Sequence, residues 1–193
     1  SPVELQPSAA YIQEGQSLLY WLLKRLVAGP IPDGYDVMLH PTAEAGWVGL
    51  FVTMINLLPW GQLDGGHIAY ALLGPKQNQL ARKVRLAVLG FFLYNLATFV
   101  LPVLLGTSSM PLEVAIGNSL TWLVWFFFLG LLGRFSGHEH PPCEGPPLSS
   151  HRRQVAIGCL ALFVLLFMPT PWASHPGTAD AEGAGSAGPL RAP

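Results

Sequence analysis

Apolar residues fill four long stretches of this chain, and short polar segments separate the stretches. Crossing a bilayer takes roughly 20 predominantly apolar residues, and each stretch reaches or approaches that length. The pattern therefore predicts an all-α fold, a polytopic transmembrane helical bundle in a domain over residues 41–172. Its predicted spans lie at about residues 42–73, 86–105, 114–132 and 155–172.

The segments on either side of this domain have different patterns. Leucines recur at helical spacing over residues 14–28, with Tyr20 and Trp21 beside them, which predicts an amphipathic helix. That helix is too short to span, so we expect it at the membrane interface, within an extramembrane lead-in over residues 1–40. Residues 173–193 are rich in Ala, Gly and Pro, and we expect a disordered tail there.

Composition supports a membrane protein. The 193 residues are 51% hydrophobic and 11% charged, whereas an ordinary soluble domain carries about 25% charged residues. The formal net charge of −1 gives no support to nucleic-acid binding. The apolar composition makes the lipid bilayer the expected partner, and no oligomeric state is predicted. Loops at 74–85 and 134–153 are cationic and the loop at 106–118 has no Lys or Arg, which places the cationic loops in the cytoplasm.

One polar run interrupts the first predicted span. From Asn56 to His67 the sequence reads N-L-L-P-W-G-Q-L-D-G-G-H. Pro59 removes a backbone donor and the glycines relax steric limits, so we expect the helix to break beside Asp64 and form two half-helices. Ionisable groups at bilayer depth are costly and are functional by default, and irregular backbone there needs a cover of protein or a water-filled cavity.

The run resembles the N-x-x-P-x-x-x-L-D-G-G signature of the site-2 protease family, zinc metalloproteases that cut peptide bonds within the membrane. Three flanking segments are similar to bacterial members that lack a PDZ domain, which leads us to expect a multi-pass protein of a bacterial cell membrane. These segments are G-Q-S-L-L, H-P-x-A-x-A-G-W-V-G-L and A-L-L-G.

The resemblance implies a role for each residue of the motif. Asp64 would be the third protein ligand of a catalytic Zn²⁺, and Asn56 would contact the substrate or its oxyanion. Gly65 and Gly66 would permit close approach to the metal site or to an H-E-x-x-H helix, with Pro59 and His67 in supporting roles. The implied substrate is a transmembrane protein, and the implied reaction is hydrolysis of one of its peptide bonds.

Simpler interpretations of the same residues stay open. Asp64 could cap a helix at a membrane kink, and Asn56 could make an interhelical hydrogen bond. His67 lies three residues after Asp64, and it could be either a structural histidine or a residue that hydrogen-bonds to a ligand of the metal and orients it. Gly65 and Gly66 could serve close helix packing alone.

The sequence departs from the family at one decisive point, because the 193 residues contain no H-E-x-x-H. His138-Glu139-His140 has the wrong spacing and lies in a Pro-rich loop, and Cys143 and Cys159 have no metal-ligand spacing. We therefore expect the C-terminal portion of a longer protease, whose two histidine ligands come from a preceding segment. The alternatives are a catalytically inactive member that binds membrane helices, or a transporter, which would need a second broken helix that the sequence lacks.

Overall fold

The structure, a computed structural model, describes residues 2–4, 10–32, 35–136 and 148–177. Most of these residues are helical, as the sequence predicts. A short 3-10 turn at Gly74–Lys76 joins the third helix to the fourth. The α-helices of the described residues are α1 (Leu18–Ala28), α2 (Pro41–Asn56), α3 (Asp64–Leu73), α4 (Gln77–Leu104), α5 (Leu112–Ser119), α6 (Thr121–Ser136) and α7 (Ser150–Leu166).

Four short strands lie outside these helices, so the prediction of an all-α fold was incomplete. Strand β1 (Pro2–Glu4) pairs antiparallel with β3 (Tyr35–Val37), and β2 (Tyr11–Glu14) pairs antiparallel with β4 (Trp172–His175). Strand β4 falls where the disordered tail was expected to begin. The rest of that predicted tail, residues 178–193, lies outside the described residues.

Two helical stretches are long and apolar enough to cross a membrane. They are Asp64–Leu104, which includes the 3-10 turn, and Leu112–Phe135, with mean hydropathies of 2.0 and 1.7. Helices α2 and α7 have 16 and 17 residues, so the four-span arrangement stays a prediction. Helix α4 begins earlier than the span predicted at 86–105, which places cations of the predicted loop at 74–85 on its first turns.

The core lies where α2, α4, α6 and α7 meet. Met54 of α2 is fully buried, and Trp122 of α6 is 1% exposed. The ring centroids of Phe91, Trp122 and Phe167 lie 4.7 to 5.7 Å apart, which joins α4 and α6 to the end of α7. Aromatic contact of this kind adds to the stabilisation that burial alone provides.

A buried amide holds the chain that follows α7. Asn95 of α4 is 1% exposed. Its Nδ2 donates to the Pro169 carbonyl at 3.0 Å, and its Oδ1 accepts from Thr170 Oγ1 at 2.7 Å. Trp122 Nε1 donates to the same Pro169 carbonyl at 2.6 Å. These bonds satisfy backbone that has left the helix in an apolar setting, and they position β4 for pairing.

Removing that amide should loosen the segment after α7. We expect Asn95→Ala to lower the free energy of unfolding by about 2 kcal/mol, because it removes the hydrogen bonds that the buried amide makes to Pro169 and Thr170. Thr98→Ala on the same helix is the control, since the exposed Thr98 hydroxyl only bonds its own helix at the Tyr94 carbonyl. Thermal melting in detergent measures both variants, and equal melting temperatures would contradict the role given to Asn95.

Helix α1 turns its polar side inward and its apolar side outward. Tyr20 and Lys24 are its buried residues, and Lys24 Nζ lies 2.9 Å from Glu14 Oε1 and 2.6 Å from Asp36 Oδ1. This buried cation is therefore neutralised by acids from β2 and β3. Large apolar side chains of α1 are exposed instead, namely Leu18, Trp21, Leu22, Leu23, Leu26 and Val27.

The ion pair makes stability depend on acid pH. Burial alone would raise the pKa of Asp36, but hydrogen bonds from Lys24 and from the Val37 N–H outweigh burial and lower it. A carboxyl with a lowered pKa stabilises the fold above its unfolded value of about 4, and this contribution is lost as the pH falls through the folded pKa. We expect Asp36→Asn to weaken the fall in melting temperature below about pH 4. The same acid dependence in Asp36→Asn and wild type would contradict this expectation.

Candidate metal site at the broken helix

The first predicted span breaks as the sequence indicates. Helix α2 ends at Asn56, and the backbone is irregular over residues 57–63. The Trp60 N–H donates to the Leu58 carbonyl at 2.7 Å, and Gly61 has a φ of +52°, in the left-handed region that favours glycine. Leu57, Leu58, Pro59, Trp60 and Gly61 are all buried. Protein therefore covers this irregular backbone, as an apolar surrounding demands.

Asp64 is the first residue of α3 and not its cap. The N-cap residue is Leu63, which makes no side-chain capping bond. The simpler interpretation of Asp64 as an N-cap therefore does not match the structure. An acid in the first turn is still favoured by the helix dipole, and the exposed Asp64 carboxylate is open to a ligand.

Gly65 and Gly66 bring α3 against the loop of the break. A Cβ on Gly65 would overlap the Leu57 carbonyl oxygen and would lie 2.7 Å from the Leu58 carbonyl carbon. A Cβ on Gly66 would overlap the Gly61 carbonyl oxygen and would lie 2.7 Å from that of Trp60. Both obstacles are backbone atoms, so neither can move aside as a flexible side chain can. The close approach in this structure is made to the motif's own loop. Approach of these glycines to a metal site or to an H-E-x-x-H helix stays a prediction.

The polar residues of the motif face the other way. Asn56, Asp64 and His67 are exposed, whereas residues 57–61, Gly65 and Gly66 are buried. Asp64 and His67 are three positions apart on one helix, which puts them on the same face. The motif therefore uses its apolar side for folding and presents its polar side outward.

Helix α2 has an open face that leads to this polar side. Its buried residues are Trp47, Phe51, Met54 and Ile55. The opposite face is exposed, and a Cβ on Gly46 or Gly49 would meet nothing within 4 Å. Val48, Gly49, Val52 and Thr53 belong to this open face, which ends at Asn56.

The donors of this chain fit a zinc ion only in part. A catalytic zinc site takes three protein ligands from N, S and O donors. No group of three or more His, Cys, Asp and Glu residues that could hold a metal occurs among the described residues. Asp64 supplies one suitable oxygen, and His67 lies beside it on the same face. Because this set is incomplete, we derive no reaction step through a metal from these residues alone.

The other histidines lie elsewhere. His40 caps α2, where its ring nitrogen accepts from the Thr42 N–H at 3.4 Å. His175 in β4 stacks on Tyr11 at 4.7 Å, and burial lowers its pKa. His151 is exposed in the first turn of α7, and Cys159 is further along that helix. His138, Glu139, His140 and Cys143 lie outside the described residues.

Comparisons with known proteins point to one family. The model of Peptidase family M50 matches residues 32–99, which contain the broken helix. A protein of Arabidopsis thaliana named probable zinc metalloprotease EGY2, chloroplastic, is 29% identical over 151 residues, which are 78% of this chain and 22% of that protein. A protein of the same name from Oryza sativa subsp. indica is 33% identical over 164 residues, which are 83% of this chain and 25% of that protein. No solved structure matches.

A broken apolar helix with an exposed carboxylate at the break, beside two helical stretches long and apolar enough to cross a membrane, defines a mostly helical protein with a candidate metal ligand. The chain belongs to the site-2 protease family, peptidase family M50. It spans about a quarter of the length of the curated relatives it matches. These relatives are chloroplastic by name, so they give no support to the expected bacterial cell membrane.

Proposed function

We propose that this chain is the C-terminal portion of a site-2-protease-like intramembrane zinc metalloprotease that hydrolyses peptide bonds of transmembrane substrates. The observation that carries the proposal is the division of the motif into a buried apolar side and an exposed polar side with Asn56 and Asp64. A carboxylate exposed toward lipid would be costly, so it needs an ion or polar partner, and no hydrogen bond or ion pair among the described residues supplies one.

The open face of α2 supports a helix packed there. Small residues such as Gly46 and Gly49 let helix backbones approach closely inside a membrane. A helix on this face would lie beside Asn56, at the edge of the break. We propose that this position is taken by an H-E-x-x-H segment, which would add two histidine donors to the carboxylate of Asp64.

Each exposed residue of the motif then has a defined task. A zinc ion held there would supply acidification of a water molecule and polarisation of the scissile carbonyl. Asp64 would supply an oxygen ligand and offset part of the metal charge. Asn56 has both a donor and an acceptor, so its amide can hold the substrate backbone or its oxyanion. His67 would act beside Asp64 through a contact to a ligand or as a structural residue.

A second candidate function is a catalytically inactive member that binds membrane helices. The absence of H-E-x-x-H from the 193 residues favours it. Such a protein would keep the break and its open face to hold a partner helix, without a metal.

The deciding experiment uses the protein that contains this chain, purified from membranes. We expect its coding sequence to hold an H-E-x-x-H in an apolar segment, and the protein to carry about one zinc ion per molecule. It should cleave a reporter with one transmembrane segment, and a zinc chelator should stop the cleavage. The 193-residue chain alone should not cleave.

Two results would overturn the proposal. Cleavage by the 193-residue chain alone would show that no further segment is needed. A zinc-free protein without H-E-x-x-H that binds the reporter uncut would establish the inactive binding function instead.

A further inference from the structure

An apolar groove of about 770 Å³ runs along the outside of the bundle, between α1, α4 and α7. Its volume lies in the range of small-molecule sites, roughly 300 to 1,000 Å³. Ala87 and Phe91 of α4, Val164 of α7 and Leu18 of α1 are among its lining residues. None of its lining residues is charged.

Two polar groups along this groove, the Ser17 hydroxyl and the Pro169 carbonyl, are already paired inside the protein. Ser17 Oγ accepts from the Tyr20 N–H at 3.1 Å, as the cap of α1. The Pro169 carbonyl accepts from Asn95 and Trp122. An extended peptide segment in the groove would therefore find few partners for its backbone, and unpaired backbone groups are costly in an apolar setting. An acyl chain needs no such partners.

A smaller polar cavity of about 300 Å³ adjoins the groove, and Gln16 and Trp21 line both. Lys24 and Asp36 line the polar cavity and are paired with each other at 2.6 Å. Arg25 also lines it, with its guanidinium 5.2 Å from the Trp21 ring centroid. Its planar donors suit a phosphate.

We propose that these two adjoining cavities form a binding site for one phospholipid of the bilayer. An acyl chain lies in the apolar groove, and the phosphate of the headgroup lies at Arg25. Leu18 and Trp21 of α1 line the groove and are exposed, so lipid can reach the site from the protein surface. This site shares Leu58 with the loop of the break but contains neither Asn56 nor Asp64, and it does not depend on the proposed protease function.

A photoactivatable lipid tests the site. The 193-residue chain is placed in phosphatidylcholine vesicles with a trace of phosphatidylcholine that carries a diazirine near the end of one acyl chain. After illumination, mass spectrometry should find lipid adducts on the segment around Val164 and on α4 around Ala87. Ala87→Trp fills the groove and should lower this adduct yield about tenfold, because losing contact with a few methylene groups is enough for that change.

The matched controls come from the same helices. Ala97→Trp adds the same ring on an exposed position of α4 that does not line the groove, and it should leave the yield unchanged. Val164→Trp fills the groove from α7 and decides the matter if Ala87→Trp does not fold. Arg25→Gln should lower the yield about fivefold, since it removes a cation at the headgroup.

Two outcomes would overturn the proposal. Equal yields in the groove-filling variants and in Ala97→Trp would show that lipid contacts the surface without a site. Loss of the lipid adducts, with a protein segment cross-linked to the groove residues in their place, would show that a peptide occupies the groove.

Discussion

Under the proposed function, Asp64→Ala in the zinc-loaded protein that contains this chain is expected to remove the bound zinc. It should also lower kcat/KM for cleavage of a membrane reporter by at least about 100-fold. Changes to residues that only orient metal ligands cost about 10- to 100-fold, so loss of a ligand should reach or exceed that range. Asp64 is exposed, and the fold around it is held by the buried residues of the loop. We therefore expect the melting temperature of the metal-free protein to stay near that of wild type.

The control for Asp64 must also remove an acid at the start of a helix. Glu113 is exposed in the first turn of α5 and lies outside the motif. Glu113→Ala loses the same favourable interaction with a helix dipole, so it should keep its zinc and its activity. Zinc content measured by atomic absorption and cleavage of a membrane reporter provide the two readouts. Full zinc content in Asp64→Ala would exclude Asp64 as a ligand.

The break was predictable because its causes are local. Pro59 lacks a backbone donor and Gly61 adopts a positive φ, and both effects follow from the residue types alone. The start of α3 at Asp64 follows from the same short run. The exposure of Asp64 and Asn56 was not predictable, since it depends on which helices pack against the motif and which do not.

The strands depend on partners far apart in the sequence. Strand β2 pairs with β4 more than 150 residues later, and neither strand is long enough to show a period. Asn118 contributes a further long-range contact, since its amide bonds both the N–H and the carbonyl of Ser174, at 2.8 and 3.0 Å. The one sequence signal for this arrangement was an asparagine within an apolar stretch, which indicates a buried polar contact without naming the partner.

The periodicity of α1 predicted a helix, but it did not predict which face of that helix is buried. Leucine spacing predicted an amphipathic helix, and the structure has a helix at Leu18–Ala28. A soluble protein would bury the leucines, whereas here Lys24 is buried because Glu14 and Asp36 meet it. The spacing of residues on one helix does not reveal that two acids from other segments will surround its lysine. The exposed leucines then suit a lipid surrounding.

Gly65→Ala, in the 193-residue chain alone, is expected to lower the free energy of unfolding by about 3 kcal/mol or more. The added Cβ would overlap the Leu57 carbonyl oxygen, so α3 would have to move away from the loop of the break. Gly90→Ala on α4 is the control, because a Cβ there meets nothing within 4 Å. Alanine at an open helical position should stabilise the protein by about 0.5 to 1 kcal/mol.

This pair of variants separates the two roles that the motif's glycines could have. If Gly65 served only the approach of an H-E-x-x-H helix, Gly65→Ala would cost nothing in a chain that lacks that helix. A loss of stability there, with a gain in Gly90→Ala, would instead establish that the glycine closes α3 onto its own loop. Denaturant titration in detergent measures both changes. Asp64 would then owe its position to a packing contact inside this chain, made before any metal or further segment is added.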